Sequence, residues 1–89
     1  MPEVVFAPAL QRHVPCAPQR VTATDLRGAL DAAFAREPRL RDYVMDERGA
    51  VRRHVAVFVD GRLIADRRDL SIAVGEASEI YVAQALSGG

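Results

Sequence analysis

The chain has 89 residues, of which 49% are apolar, and its twelve basic side chains balance twelve acidic ones. That is enough for one compact domain and too little for a second, and a balanced charge gives a polyanion such as nucleic acid no field to follow. Nowhere do eighteen apolar residues run together, and Met1-Pro2-Glu3-Val4-Val5-Phe6 lacks a basic stretch before a long apolar run. Neither membrane insertion nor secretion is expected, and a cytoplasmic location is.

All twelve basic residues are arginine, so no side chain is available to accept an isopeptide bond. Cys16 stands alone, as in a reducing compartment, three residues after His13. Two ligands fall short of the four or so that a structural zinc site needs, and one cysteine falls short of an iron–sulfur cluster. No metal site is expected.

Val4-Val5-Phe6-Ala7 reads as a first strand closed by Pro8, which lacks a backbone donor. The proline-flanked stretch from His13 to Pro18 reads as a connection, and Gln19-Arg20-Val21-Thr22 as an antiparallel return. Thr24 or Thr22 is placed to cap a helix, with Asp25 at the positive end of its dipole. Leu26, Leu30, Ala33 and Phe34 then share one helical face, and Pro38 stops the helix near Arg36 or Glu37.

The stretch from Leu40 to Val51 is irregular: a short helical turn is expected around Leu40 to Val44, and a turn at Asp46-Glu47-Arg48-Gly49. The segment from His54 to Val59 is the strongest strand signal, and Asp60-Gly61 after it suits the positive φ angles of a tight hairpin. Arg62-Leu63-Ile64 begins the return, and Leu70-Ser71-Ile72-Ala73-Val74 follows Asp66-Arg67-Arg68-Asp69. A final strand from Glu79 to Ala83 follows the turn at Gly75-Glu76. Period-two alternation puts Val55, Val57 and Val59 on the core face with Ile80 and Val82, and Ala56, Phe58, Tyr81 and Ala83 on the other.

This order is that of an α+β, β-grasp domain: a mixed sheet of four to five strands packed on one main helix. The domain occupies residues 1–84, and residues 85–89 form a flexible tail. The sequence carries no Gly-rich phosphate loop, no nucleophile elbow and no paired carboxylates beside a histidine, so an autonomous enzyme is not expected. His54 opens a strand and is read as an edge residue. The pairs Arg52-Arg53 and Arg67-Arg68 read as solvated turns, or as docking charges for a partner.

The distinctive feature is the end of the chain, where Gly88-Gly89 follows the last strand after a short connection. Phe58-Val59-Asp60-Gly61, then Gly75-Glu76-Ala77-Ser78-Glu79-Ile80-Tyr81-Val82, then Leu86-Ser87-Gly88-Gly89 together resemble the second half of the MoaD/ThiS family. These are the ubiquitin-like sulfur carriers of molybdenum-cofactor (molybdopterin), thiamine and cysteine biosynthesis. The resemblance covers roughly residues 50–89, with element order and length alone matching before that, and looks closest to carriers of the cysteine-biosynthesis type. Two positions depart from the pattern: Gly75-Glu76 stands where many members have Gly-Asp, and Gln84-Ala85 where many have proline.

The resemblance implies a cycle in which an ATP-dependent, E1-like adenylyltransferase joins AMP to the C-terminal carboxylate. A sulfur donor replaces AMP, and the thiocarboxylate passes its sulfur to an accepting biosynthetic enzyme. By carry-over Gly89 bears the acyl group, while Gly88, Ser87 and Leu86 thread the partner's channel; ATP belongs to the partner, and no bound cofactor is implied. Glycine suits this chemistry independently, since a side chain at either terminal position would enlarge what must enter the adenylation site. The outward patch of Phe58, Tyr81, Ala56 and Ala83 is a candidate partner-binding face, or the underside of a second small layer. A ubiquitin-like modifier, transferring the whole chain to a lysine, would use the same terminus, and a β-grasp interaction module with an incidental tail is the third reading.

Overall fold

Two alternating segments organise the sheet. In the computed structural model, which describes residues 1–12 and 16–84, eight elements occur in the order β1 (Glu3–Phe6), α1 (Pro8–Gln11), β2 (Gln19–Arg20), α2 (Leu26–Arg36), α3 (Pro38–Val44), β3 (Val55–Val59), β4 (Arg62–Leu63) and β5 (Glu79–Gln84). The strands form one five-stranded mixed sheet, ordered β2-β1-β5-β3-β4. β5 lies at its centre, parallel to β1 and antiparallel to β3, and the two edge pairs β1–β2 and β3–β4 are antiparallel.

Period two decides which side is core. Val55, Val57, Ile80, Val82, Val4 and Phe6 are all at most 1% exposed and meet the helix residues Leu26, Leu30, Ala33 and Phe34, as the spacing of those residues requires. Leu10 from α1, Leu40 and Val44 from α3, and Leu70 belong to the same cluster. The arrangement is the ubiquitin-like β-grasp.

Helix α2 is capped by Asp25, whose carboxylate accepts the Gly28 amide at 2.8 Å, and not by Thr22 or Thr24. Asp25 has extended backbone and stands immediately before the first helical residue, the position from which a short side chain reaches the orphan amides. Segment 70–74 makes only an isolated bridge, Ala73 to Asp25. Its carbonyls serve the helix: Ile72 accepts from the Leu26 amide and Leu70 from the Arg27 amide, both at 2.9 Å. Satisfying the first turn of α2 uses the groups that a sheet neighbour would need.

At Asp60-Gly61 both residues have positive φ, 51° and 83°, the geometry of the tight turn anticipated there. The turn expected around Leu40 to Val44 is the seven-residue helix α3, started by Pro38 in its first turn, where a missing N–H costs nothing.

Candidate functional site

The site begins with β5, because the aromatic patch and the tail named for a partner lie on this strand, beside it or after it. β5 is held on both sides: Val4, Val5 and Phe6 pair with Ile80, Tyr81 and Val82, and Val55 through Val59 pair with Gln84 through Ile80. A strand paired along both edges is a stiff support. The tail residues Leu86, Ser87, Gly88 and Gly89 lie outside the described residues.

The outer face of the sheet carries the other four candidates. Phe58 pairs with Tyr81 and Ala56 with Ala83 across the β3–β5 ladder, and all four are half-buried. The two rings sit 6.4 Å apart between centroids, tilted by 51°, within the range at which aromatic edges and faces attract. The structure therefore brings these four together as one patch.

Two further residues, not singled out by sequence reasoning, extend it. Leu63 of β4 pairs with Phe58, and Val5 of β1 pairs with Tyr81, so an apolar row crosses four strands as Leu63, Phe58, Tyr81 and Val5. Leu63 is 60% exposed and borders an open depression of about 500 Å³ shared with Ile72 and Ile64. The signal for Val5 was present in the alternation of Val4 and Phe6 toward the core; its place beside Tyr81 depends on a pairing between the first and last strands that no local pattern encodes.

The arginine pairs divide. Arg67 donates to the carbonyl oxygens of Val55 at 2.7 Å and Arg53 at 3.3 Å, and also to that of Arg52. Arg52 Nε donates to the carbonyls of Asp42 and Met45 at 2.9 and 3.0 Å. One member of each pair is thus a clip holding loop carbonyls, not a solvated turn residue; Arg53 and Arg68 are exposed. Arg27 works similarly, bridging the Gly49 and Arg68 carbonyls at 3.1 and 3.0 Å. A planar fork with several donors serves two carbonyls at once, which an ammonium on a flexible stem does less well.

Cys16 is half-buried, its Sγ accepting from Gln19 Nε2 at 3.2 Å, while His13 lies outside the described residues. His54 is exposed just before β3. No helix of the described residues is long and apolar enough to cross a membrane.

No protein-family model matches the sequence, and no curated protein matches it. Solved structures do. The crystal structure of SAMP1 from Haloferax volcanii superposes with a TM-score of 0.81 at 24% identity, covering 99% of this chain and 98% of that one. A chain of the Amycolatopsis orientalis BexX/CysO complex gives 0.81 at 15% identity, covering 100% of both. CysO of Mycobacterium tuberculosis gives 0.81 at 16% identity, covering 97% of this chain and 100% of that one. At these identities the likeness establishes the fold: the chain is a ubiquitin-like β-grasp domain whose structural neighbours are proteins of the MoaD/ThiS type.

Proposed function

We propose that the chain is a sulfur carrier whose reacting group is the C-terminal carboxylate of Gly89. The observation that carries this reading is the position of Gly88-Gly89 directly after β5, the central strand of the sheet, with one short connection between them. The domain of residues 1–84 then serves as the handle, and residues 85–89 as the reacting tail. Six residues from Gln84 to Gly89 reach at most about 20 Å when extended, enough to carry the terminus into a partner's cleft.

In the proposed cycle a carboxylate oxygen of Gly89 attacks the α-phosphorus of ATP on an E1-like adenylyltransferase, and pyrophosphate leaves. Sulfide-level sulfur from a donor then displaces AMP, the acyl C–O bond to AMP breaking as the C–S bond forms; the thiocarboxylate delivers its sulfur to a biosynthetic acceptor, and water supplies the oxygen that restores the carboxylate. The Gly88 and Gly89 backbone offers no side chain to obstruct in-line attack. The apolar row through Phe58 and Tyr81, flanked by Ala56 and Ala83, is the surface by which the adenylyltransferase and the acceptor grip the domain. Half-buried aromatic groups beside small residues suit such a contact.

A second reading, transfer of the whole chain to a lysine of another protein, is favoured by the likeness to SAMP1, a small archaeal modifier protein in Haloferax volcanii. Intact-mass analysis of the chain from its native host separates the two. A sulfur-for-oxygen exchange at the terminus supports the carrier, and a covalent protein adduct supports the modifier. An unchanged terminus after incubation with the cognate adenylyltransferase, ATP and a sulfur source removes the carrier reading.

A further inference from the structure

The root of the tail lies near a depression that has no part in the function proposed above. β5 ends at Gln84, opposite Val55, the first residue of β3. On its other side β3 meets the segment that continues β4. The Ile64 amide donates to the Val57 carbonyl at 3.0 Å, and Arg67 donates to the Val55 carbonyl at 2.7 Å. Between these two attachments the segment leaves an open space of about 230 Å³.

Its floor is Val51, Val55 and Val57, each at most 3% exposed, and its rim is Ala56, Ile64 and Ala65, none of them fully buried. Leu63 stands at one end and belongs also to the apolar row through Phe58. Apolar surface gathered in a concavity favours any apolar group that covers it and displaces its water.

The chain itself supplies such a group within reach. After Gln84 come Ala85, Leu86, Ser87, Gly88 and Gly89, among which Leu86 alone is large and apolar. The depression lies between β3 and the path of β4, about one and a half strand spacings, or about 7 Å, from the axis of β5. Two extended residues span about 7 Å. The way across is low, because Ala83 and Ala56 face each other on the outer side at this end of the sheet, with Tyr81 and Phe58 further along. The chain entering β3 does not block it: the Arg52 amide donates to the Val44 carbonyl of α3 at 2.9 Å, so that segment arrives from the helix layer.

We propose that the free chain folds its own tail back over Ala83 and Ala56 and seats Leu86 in this depression. The docked tail then covers Ala56 and lies against Leu63, part of the surface by which the adenylyltransferase grips the domain. A partner that takes hold of that surface displaces the tail and so frees the carboxylate beside the cleft that receives it. The docking stands on the depression and on Leu86; only the release rests on the role proposed for Gly89. Until release, affinity for the partner is reduced to the fraction of chains whose tail is free.

The test compares the full-length native chain with Leu86→Ser by amide NMR and hydrogen exchange. Loss of the docked leucine shifts the resonances of Ala56, Ile64 and Ala65 and speeds exchange of the Ile64 amide by about threefold or more, while Glu76 and Ala77, before the start of β5, stay as they were. Ala65→Trp fills the depression from its rim and expels the tail, so adding Leu86→Ser to it changes nothing further. Thermal melts of each variant check folding. Identical resonances and exchange in the native and Leu86→Ser chains overturn the docking. So do resonances that ignore Leu86→Ser but move when the adenylyltransferase is added, which give the depression to that partner. In ATP–pyrophosphate exchange with the adenylyltransferase of the source organism, Ala65→Trp lowers the KM for the chain by about two- to fivefold, because no release precedes binding. An unchanged KM overturns the release. Absence of exchange by the native chain removes the carrier reading and the release with it, and does not touch the docking, which the NMR comparison decides.

Discussion

Asp60 and Glu79 hold each other twice: the Asp60 amide donates to the Glu79 carbonyl at 2.9 Å, and the Asp60 carboxylate accepts the Glu79 amide at 2.9 Å. The same carboxylate accepts the Ser78 hydroxyl at 3.0 Å, and Asp60 does this from a left-handed φ of 51°. The hairpin turn after β3 thereby sets where β5 begins, and so which residue is last before the tail. Asp60→Ala should cost about 1–2 kcal/mol in urea denaturation, through lost charge-assisted hydrogen bonds and a residue less suited to positive φ. Asp60→Asn, which keeps an acceptor oxygen and tolerates that φ, should lose distinctly less; equal losses would mean the backbone pair alone holds the strand.

The two faces of β3 make opposite predictions from adjacent residues. Val57 is 1% exposed, so Val57→Asp puts a carboxylate among apolar neighbours and should abolish the cooperative thermal transition. Phe58→Asp removes one ring of the pair with Tyr81, worth about 0.5–1.5 kcal/mol beyond area, and should leave a folded domain with weakened binding to the adenylyltransferase. A Phe58→Asp chain that folds and binds as the native does would remove the apolar row from the partner surface.

Acid should loosen the loops before the core. Asp46 is held below its ordinary value by the amides of Ala50 and Arg48, Asp66 by those of Asp69 and Arg68, and Asp69 by the hydroxyl and amide of Ser71. A lowered folded pKa gives stability that is complete above the unfolded value, about 3.9, and is lost as pH falls through the lower folded one. Melting temperature should therefore be insensitive to these groups from pH 7 to about 5 and should fall below about pH 4. Asp66→Asn preserves the turn acceptor but removes its titration, and should flatten that fall; an unchanged acid limb would exclude Asp66 from it.

Tail length separates chemistry from folding. Adding one residue after Gly89, or deleting it, should shift stability by less than about 0.5 kcal/mol, as for surface changes generally. Activation should collapse, because the carboxylate moves by about 3.5 Å and a displacement of 1 Å can cost about a hundredfold where alignment matters. ATP–pyrophosphate exchange compared among native, extended and truncated chains measures this, and equal exchange by all three would leave the domain an interaction module.

Local periodicity made much of this architecture readable. The apolar face of α2, the inward valines of β3, and the Asp60-Gly61 turn each follow from spacing within a few residues. α1 was not readable, since four residues from Pro8 to Gln11 are too few to show a helical repeat. The role of segment 70–74 was not readable either, because its carbonyls are bound to the start of α2, a fact about two distant segments. The same limit hid Leu63 and Val5 from the apolar row. Their faces follow from alternation, but their neighbours follow from pairing. At the arginine pairs, charge alone did not distinguish Arg67, clipped to three carbonyls, from exposed Arg68.

The parallel pairing of β1 with β5 has a mechanical consequence. Because the two strands run the same way, the start of β1 and the end of β5 lie at opposite ends of one ladder. A pull on Gln84 along the strand axis, resisted at Glu3, loads the ladder in shear, so its hydrogen bonds share the force and do not open one by one. The antiparallel ladder to β3 on the other side is loaded lengthwise too. A partner that draws the tail into a cleft and holds it there would therefore be tugging on the best-anchored strand of the domain, in the direction in which it yields least.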